Sequence, residues 1–130
     1  MAVKLSVTNQ RIADLLIGAF EGGSNYWIDW VEYLGETEES AEAMCKRLSI
    51  QIETPRYARI PLAGGTWAVK IVQTEGQPDV RLDFNAIQNG LAEMAKKYPT
   101  HFADFLNEDD DADTADVFLQ CCVFGEVIYG

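Results

Sequence analysis

Side chains able to carry catalysis are few in this sequence, and none stands in a recognisable catalytic spacing. His101 is the one histidine, and no serine or cysteine stands beside it in a motif for nucleophilic catalysis. A zinc site of Cys and His ligands is excluded on the same ground. Cys121 and Cys122 are adjacent, but neighbouring helical residues point about 100° apart, and apolar surroundings raise the pKa of a thiol. The sequence therefore predicts a protein that is not an enzyme and that needs no cofactor.

Three aspartates at alternate positions, Asp109, Asp111 and Asp113, have the spacing that begins a calcium-binding loop. A complete loop has glycine at its sixth position and a bidentate glutamate at its twelfth, where this chain has Thr114 and Gln120. We interpret the run as a solvated loop that favours the N-terminus of the following helix. No metal site is predicted.

Two glycine pairs each precede a hydroxyl residue and a tryptophan, in the segments 22–27 and 64–67. Backbone N–H groups at such turns can bind an anion, and a neighbouring aromatic ring can stack on a base. The candidate ligand-binding residues are Gly22, Gly23, Tyr26, Trp27, Gly64, Gly65 and Trp67. The alternative is a helix end and a hairpin turn beside core tryptophans.

The formal net charge of −11 disfavours binding to nucleic acid or to anionic membranes and permits a basic partner. Two acidic runs, 36–42 and 104–116, could present carboxylates to a partner at a spacing like that of phosphates. The candidate partner-binding residues are Glu36, Glu38, Glu39, Asp109, Asp110 and Asp111. The alternative is a solvated face that keeps the protein soluble.

The element that the other elements must cover is the segment 114–130, predicted as a helix that is apolar almost all round. Such a helix has to be buried by the rest of its domain or by a second copy of the chain. Asp113 or Thr114 can cap its N-terminus. Gly125 falls inside the predicted helix, where we expect the backbone of another element to approach closely.

The remaining segments alternate between helical and extended patterns. Helical periodicity is found over 8–21, 36–47, 85–98 and 101–106. Extended patterns are found over 26–34, 48–52, 57–62, 66–74 and 80–82. The last two of these segments are predicted to form a hairpin. The segment 1–7 fits either a short strand or an extended lead-in to the first helix. These patterns predict one α+β domain over 1–130. Its mainly antiparallel sheet of three to five strands would pack on the buried C-terminal helix, flanked by the N-terminal and central helices.

Both ends of the chain resemble a group of small uncharacterised proteins of tailed phages and prophages. The resemblance is carried by the helix that starts at Thr8, the Gly22-Gly-Ser-Asn-Tyr-Trp junction, the segment 90–92 and the stretches that start at Asp113 and Phe124. The segment 36–61 carries none. No activity is assigned to the group, so the resemblance implies no catalytic residue. It implies an accessory factor that binds and blocks a host protein, as antagonists of host defence such as anti-CRISPR proteins do.

We therefore expect a non-enzymatic phage accessory protein that inhibits a host protein, with its acidic surface in the partner's nucleic-acid site. A module that sequesters a nucleotide signal and a virion structural or assembly component are the alternatives. No signal-peptide pattern and no long apolar segment is found, so we expect the host cytoplasm and no membrane association. The chain could act as a monomer or as a homodimer.

Overall fold

The computed structural model describes residues 7–35 and 39–130, so most of the predicted lead-in over 1–7 lies outside it. Within these two ranges the chain forms six α-helices and one three-stranded sheet. The elements are α1 (Asn9–Gly18), which continues as a π-helical turn (Ala19–Gly23), β1 (Ile28–Leu34), α2 (Ala41–Leu48), α3 (Arg56–Arg59) with a 3₁₀ turn (Ile60–Leu62), β2 (Ala68–Gln73) with a 3₁₀ turn (Thr74–Gly76), β3 (Val80–Leu82), α4 (Phe84–Lys97), α5 (Pro99–Leu106) and α6 (Ala112–Phe124).

The sheet is antiparallel with the strand order β1-β2-β3. The hairpin predicted over 66–82 is confirmed, since Val69 pairs with Leu82 and Ile71 pairs with Val80. Val69, Ile71 and Leu82 are fully buried. They lie on the inner face of the sheet, because successive side chains of a strand point to opposite faces. The α+β class is thus confirmed, with a sheet at the lower end of the predicted size. Trp30, however, is 51% exposed, so β1 is open to solvent at this position.

Two predicted strands are wrong. Over 48–52, Leu48 is the last residue of α2 and Ser49 is left-handed with φ 59°. The N–H of Ile50 then donates to the Cys45 carbonyl at 3.0 Å, which is a helix C-cap rather than a sheet ladder. Over 57–62 the chain is helical instead, because α3 starts directly after Pro55 and a 3₁₀ turn follows. Apolar runs this short do not distinguish a helical turn from a strand.

Side-chain caps fix where α1, α2 and α4 begin. Thr8 caps α1, as expected from its N-cap residue type, and Asp83 rather than the alternative Asn85 caps α4, accepting from the Ala86 N–H at 2.9 Å. The helix predicted over 36–47 begins only at Ala41, where Ser40 is the cap. A capped start satisfies backbone N–H groups that have no partner within the helix.

The final helix, α6, is bounded differently from its prediction at both ends. Asp111 is its N-cap and accepts from the Thr114 N–H at 2.9 Å. Gly125 has φ 79° and ends the helix as its C-cap, so the prediction of a glycine inside a helix is wrong. The close approach of backbones occurs instead at Gly90 of α4, where a Cβ would lie 2.3 Å from Sγ and 2.8 Å from Cα of Cys122.

Helix α6 lies at the centre of the helical layer. It contacts α4 most extensively, then the π-helical turn, α1 and α5, and it meets the sheet through β3. Phe118, Leu119 and Cys121 are at most 1% exposed. No helix within the described ranges is long and apolar enough to span a membrane.

Candidate functional site

The carboxylate of Asp116, on α6, lies at the centre of a buried hydrogen-bond network. Its Oδ1 accepts from the Ser24 hydroxyl at 2.7 Å and from the Trp27 indole Nε1 at 2.8 Å. Its Oδ2 accepts from the Tyr26 hydroxyl at 2.6 Å and from Nε2 of Gln120 at 3.0 Å. Asp116 is only 9% exposed, so these four donors replace the water that the charge has lost.

Gln120, one turn further along α6, ties the segment after the helix to this network. Its Oε1 accepts from the N–H groups of Ile128 and Tyr129, both at 2.9 Å. Its Nε2 donates to the Tyr129 carbonyl at 3.2 Å, and the Tyr129 hydroxyl donates to Oε1 of Gln73 on β2. The chain beyond α6 is therefore folded back against both the helix and the sheet.

Trp27 is held inside an aromatic cluster and is 1% exposed. Tyr129 stacks on it at a centroid distance of 5.7 Å with 19° between the ring planes, and Phe124 lies at 5.3 Å. A ring covered in this way has no open face on which a nucleotide base could stack.

An open pocket of about 570 Å³ adjoins this network. Its lining residues, which define the acidic pocket, are Gly23, Tyr26, His101, Asp113, Asp116, Val117, Val127, Tyr129 and Gly130. Tyr26 is 53% exposed and Asp113 is also exposed. Nδ1 of His101 lies 3.0 Å from Oγ1 of Thr114. In the described part of the chain, no lysine or arginine lines this pocket.

Partial burial and the neighbouring Asp116 carboxylate raise the pKa of Tyr26 from 10.0 to about 12. The Tyr26 hydroxyl is therefore neutral at physiological pH and remains a donor to Asp116. The pocket thus combines a fixed negative charge with aromatic surface.

The two glycine and tryptophan junctions contribute to different pockets. Gly23 lines the acidic pocket, and a Cβ on it would lie 2.2 Å from the Ala112 carbonyl oxygen. The helical segment ends at Gly23, but neither Gly22 nor Gly23 has a positive φ, so a left-handed glycine is not what ends it. Close packing on α6, at Gly23, is the reason for a glycine here.

The second junction lies elsewhere on the molecule. Gly64 and Gly65 have φ of 78° and 60°, and the Trp67 N–H donates to the Gly64 carbonyl at 3.2 Å. Trp67 is half-buried and lines a separate pocket with Arg56 and Arg59. The structure does not bring the two junctions together.

The acidic residues predicted to bind a partner mostly have contacts within the chain. Asp110 accepts from the Arg11 guanidinium at 2.7 Å, and Asp111 is the α6 cap. Glu39 forms a two-bond ion pair with Arg47, at 2.8 and 2.9 Å. Asp109 is exposed. Glu36 and Glu38 lie outside the described residues.

Cys121 and Cys122 are unsuited to thiolate chemistry. Burial raises the pKa of the Cys121 thiol from 9.0 to about 11, and it also raises the pKa of the fully enclosed Cys122 thiol well above its ordinary value. In residues 7–35 and 39–130, no cluster of three or more His, Cys, Asp and Glu is arranged to hold a metal ion.

Sequence reasoning missed Asp116 and Gln120 as site residues. Their spacing of four places both side chains on one face of a helix that is otherwise apolar. A buried carboxylate needs several donors, and the segment 24–27 supplies three of them. Two polar residues one turn apart in an apolar helix were the signal that could have found them.

Comparison of the chain with protein families, with curated proteins and with solved structures gives no match.

Proposed function

We propose that the chain is a non-catalytic binding protein, a phage accessory factor that docks on a basic host protein and blocks it. In this proposal the acidic pocket receives an arginine or lysine side chain of the partner. The observation that carries the proposal is the composition of the pocket lining, in which two carboxylates, Asp113 and Asp116, stand beside the rings of Tyr26 and Tyr129.

Carboxylates and aromatic rings are the groups that bind cations in proteins. A guanidinium or ammonium group over an aromatic face gains about 0.5 to 2 kcal/mol, more when it is desolvated. Asp113 is exposed and can pair directly with a cation. Asp116 already accepts four hydrogen bonds, so it contributes mainly through its charge, in a site where water screens it little. The pocket is also within the usual size range of binding pockets, about 300 to 1,000 Å³.

The overall charge supports the same kind of partner. A net charge of −11 repels nucleic acid and attracts basic proteins, and it speeds their encounter at low salt. A host protein that binds nucleic acid carries a basic groove. A chain docked in that groove would exclude the nucleic acid, which is the inhibitory mechanism that we propose.

Affinity capture from host lysate tests the proposal when three forms of the chain are compared. Asp113→Asn removes one charge from the acidic pocket, and Glu75→Gln removes the same charge from the exposed hairpin turn. We expect the parent chain and Glu75→Gln to retain the same basic protein, with retention falling at high salt, and Asp113→Asn to retain less of it. The purified partner should lose its nucleic acid when the chain is added. Equal retention by both variants, or a partner that keeps its nucleic acid, would contradict the proposal.

A further inference from the structure

A second cavity, of about 270 Å³, lies between α2, α3 and Trp67. Met44 and Ile60 give it apolar walls, while Arg56 and Arg59 of α3 line it together with Trp67. We call it the arginine pocket. It shares no lining residue with the acidic pocket.

The two arginines of this pocket differ from the other arginines of the chain. Arg11 pairs with Asp110, Arg47 with Glu39 and Arg81 with Asp83. Among the described residues, neither Arg56 nor Arg59 forms an ion pair with a carboxylate, although the chain has 21 acidic residues. Two cations without a carboxylate partner in the described part of the chain therefore line one pocket of an acidic protein.

Both arginine side chains are held in place from within the chain. The Arg56 guanidinium lies over the Tyr33 ring, 4.2 Å from its centroid. Nη1 of Arg59 donates to the Thr54 carbonyl at 3.1 Å. Nε of Arg59 is buried and has no hydrogen-bond partner in the part of the chain that the structure describes. A buried donor without an acceptor is rare, and an ordered water or ion is one of its usual partners.

Glu39 also lines the arginine pocket, but its charge is already compensated. Both of its carboxylate oxygens accept from Arg47, and this guanidinium holds the pKa of Glu39 below its usual range. Among the described residues that line the pocket, the charge that remains is therefore that of Arg56 and Arg59.

We propose that the arginine pocket binds a small oxyanion, a phosphate or a carboxylate group of a ligand, through Arg56 and Arg59. Guanidinium groups donate two parallel hydrogen bonds to either group. The half-buried ring of Trp67 gives the same ligand a surface for a flat or apolar portion. The volume restricts the ligand to a small molecule. This site is independent of the acidic pocket and of the proposed blocking role.

Titration of the full, ¹⁵N-labelled chain with inorganic phosphate and, separately, with acetate tests this site. Sodium chloride keeps the ionic strength constant, and the arginine Nε–H resonances are followed by NMR. Because the Nε–H of Arg59 is buried, we expect its exchange with water to be slow enough for its signal to be observed, and Arg59→Gln identifies that signal by removing it. We expect this resonance to shift saturably. A larger response to phosphate would assign the site to phosphate ligands, and an equal or larger response to acetate would assign it to carboxylates.

Arg56→Gln is the deciding variant, because Arg56 is exposed and its loss should leave the fold intact. We expect it to weaken anion binding by about tenfold, the usual effect of losing one charged hydrogen-bond donor. Arg81→Gln, on β3, is the matched control and should bind as the parent chain does. A parent chain that responds to neither anion, or an Arg56→Gln chain that binds as tightly as Arg81→Gln, would overturn the proposal. Neither result bears on the acidic pocket.

Discussion

Oδ1 of Asp116 accepts a hydrogen bond from the indole Nε1 of Trp27 at 2.8 Å, and the two residues are 89 positions apart in the chain. The contact joins α6 to the segment that leads into β1. It fixes the Trp27 ring against Tyr129, so the same bond orders one wall of the acidic pocket. Pocket and core are therefore stabilised by one buried charge.

Replacing Asp116 by alanine should destabilise the protein by about 3 kcal/mol, because buried donors lose a charged acceptor and each such bond contributes about 1.5 to 3 kcal/mol. Urea unfolding followed by circular dichroism measures the change. Asp113→Asn, at an exposed position of the same helix, is the control and should change stability by less than about 1 kcal/mol. A similar small loss for both variants would show that the network contributes little.

Gly90→Ala should be destabilising although alanine is the better helix former. A Cβ at this position meets the backbone of Cys122 at 2.8 Å. The resulting overpacking costs up to about 3 kcal/mol, which exceeds the gain in helix propensity of about 1 kcal/mol. Thermal unfolding of Gly22→Ala provides the comparison, since no atom lies within 4 Å of a Cβ at Gly22. If the Gly90→Ala variant were as stable as the Gly22→Ala variant, that result would contradict the close contact between the backbones of α4 and α6.

Alkaline pH should destabilise the fold from about pH 9 upward. The folded state raises the pKa of Cys121 from 9.0 to about 11 and that of Tyr26 from 10.0 to about 12. Above the ordinary pKa values the unfolded chain loses protons that the folded chain keeps, so the free energy of unfolding falls as pH rises. Urea titrations at pH 8, 9, 10 and 11 follow the decline. Cys121→Ala should flatten it between pH 9 and 11, and an unchanged slope in that variant would argue against the buried thiol as a cause.

Local signals in the sequence were sufficient for much of the fold. The hairpin of β2 and β3 follows from alternation, and the starts of α1 and α4 follow from their caps at Thr8 and Asp83. The pattern of apolar residues did not decide the rest. The left-handed Ser49 converts an alternating run into a helix end, and the helical turns after Pro55 replace a predicted strand because so short a run has no period of its own.

The candidate site is harder to predict from the sequence than the fold is. The sequence indicates the junction at Gly23 and Tyr26 as a candidate, and both residues line the acidic pocket. The residues that contact this junction, Asp116 and Gln120, belong to a helix about 90 residues further along the chain. The apolar pattern of that helix indicates only that it is buried. The acidic candidates Glu39 and Asp110 form ion pairs with Arg47 and Arg11, and pairing of this kind depends on tertiary structure.

Binding of a basic peptide to the acidic pocket is the most direct test of the proposed function, because it can be measured before the partner is identified. The Trp27 indole N–H, which is bonded to Asp116, is an internal reporter in the ¹H–¹⁵N spectrum. On titration with a hexa-arginine peptide we expect saturable shifts of this signal and of the amides of Gly23 and Val117. Asp113→Asn should weaken the binding by about threefold or more, as expected for the loss of an exposed charge pair, whereas Glu75→Gln should not. Shifts confined to 39–47 and 107–111, or equal affinities for the two variants, would contradict the assignment of this pocket as the site for a basic partner.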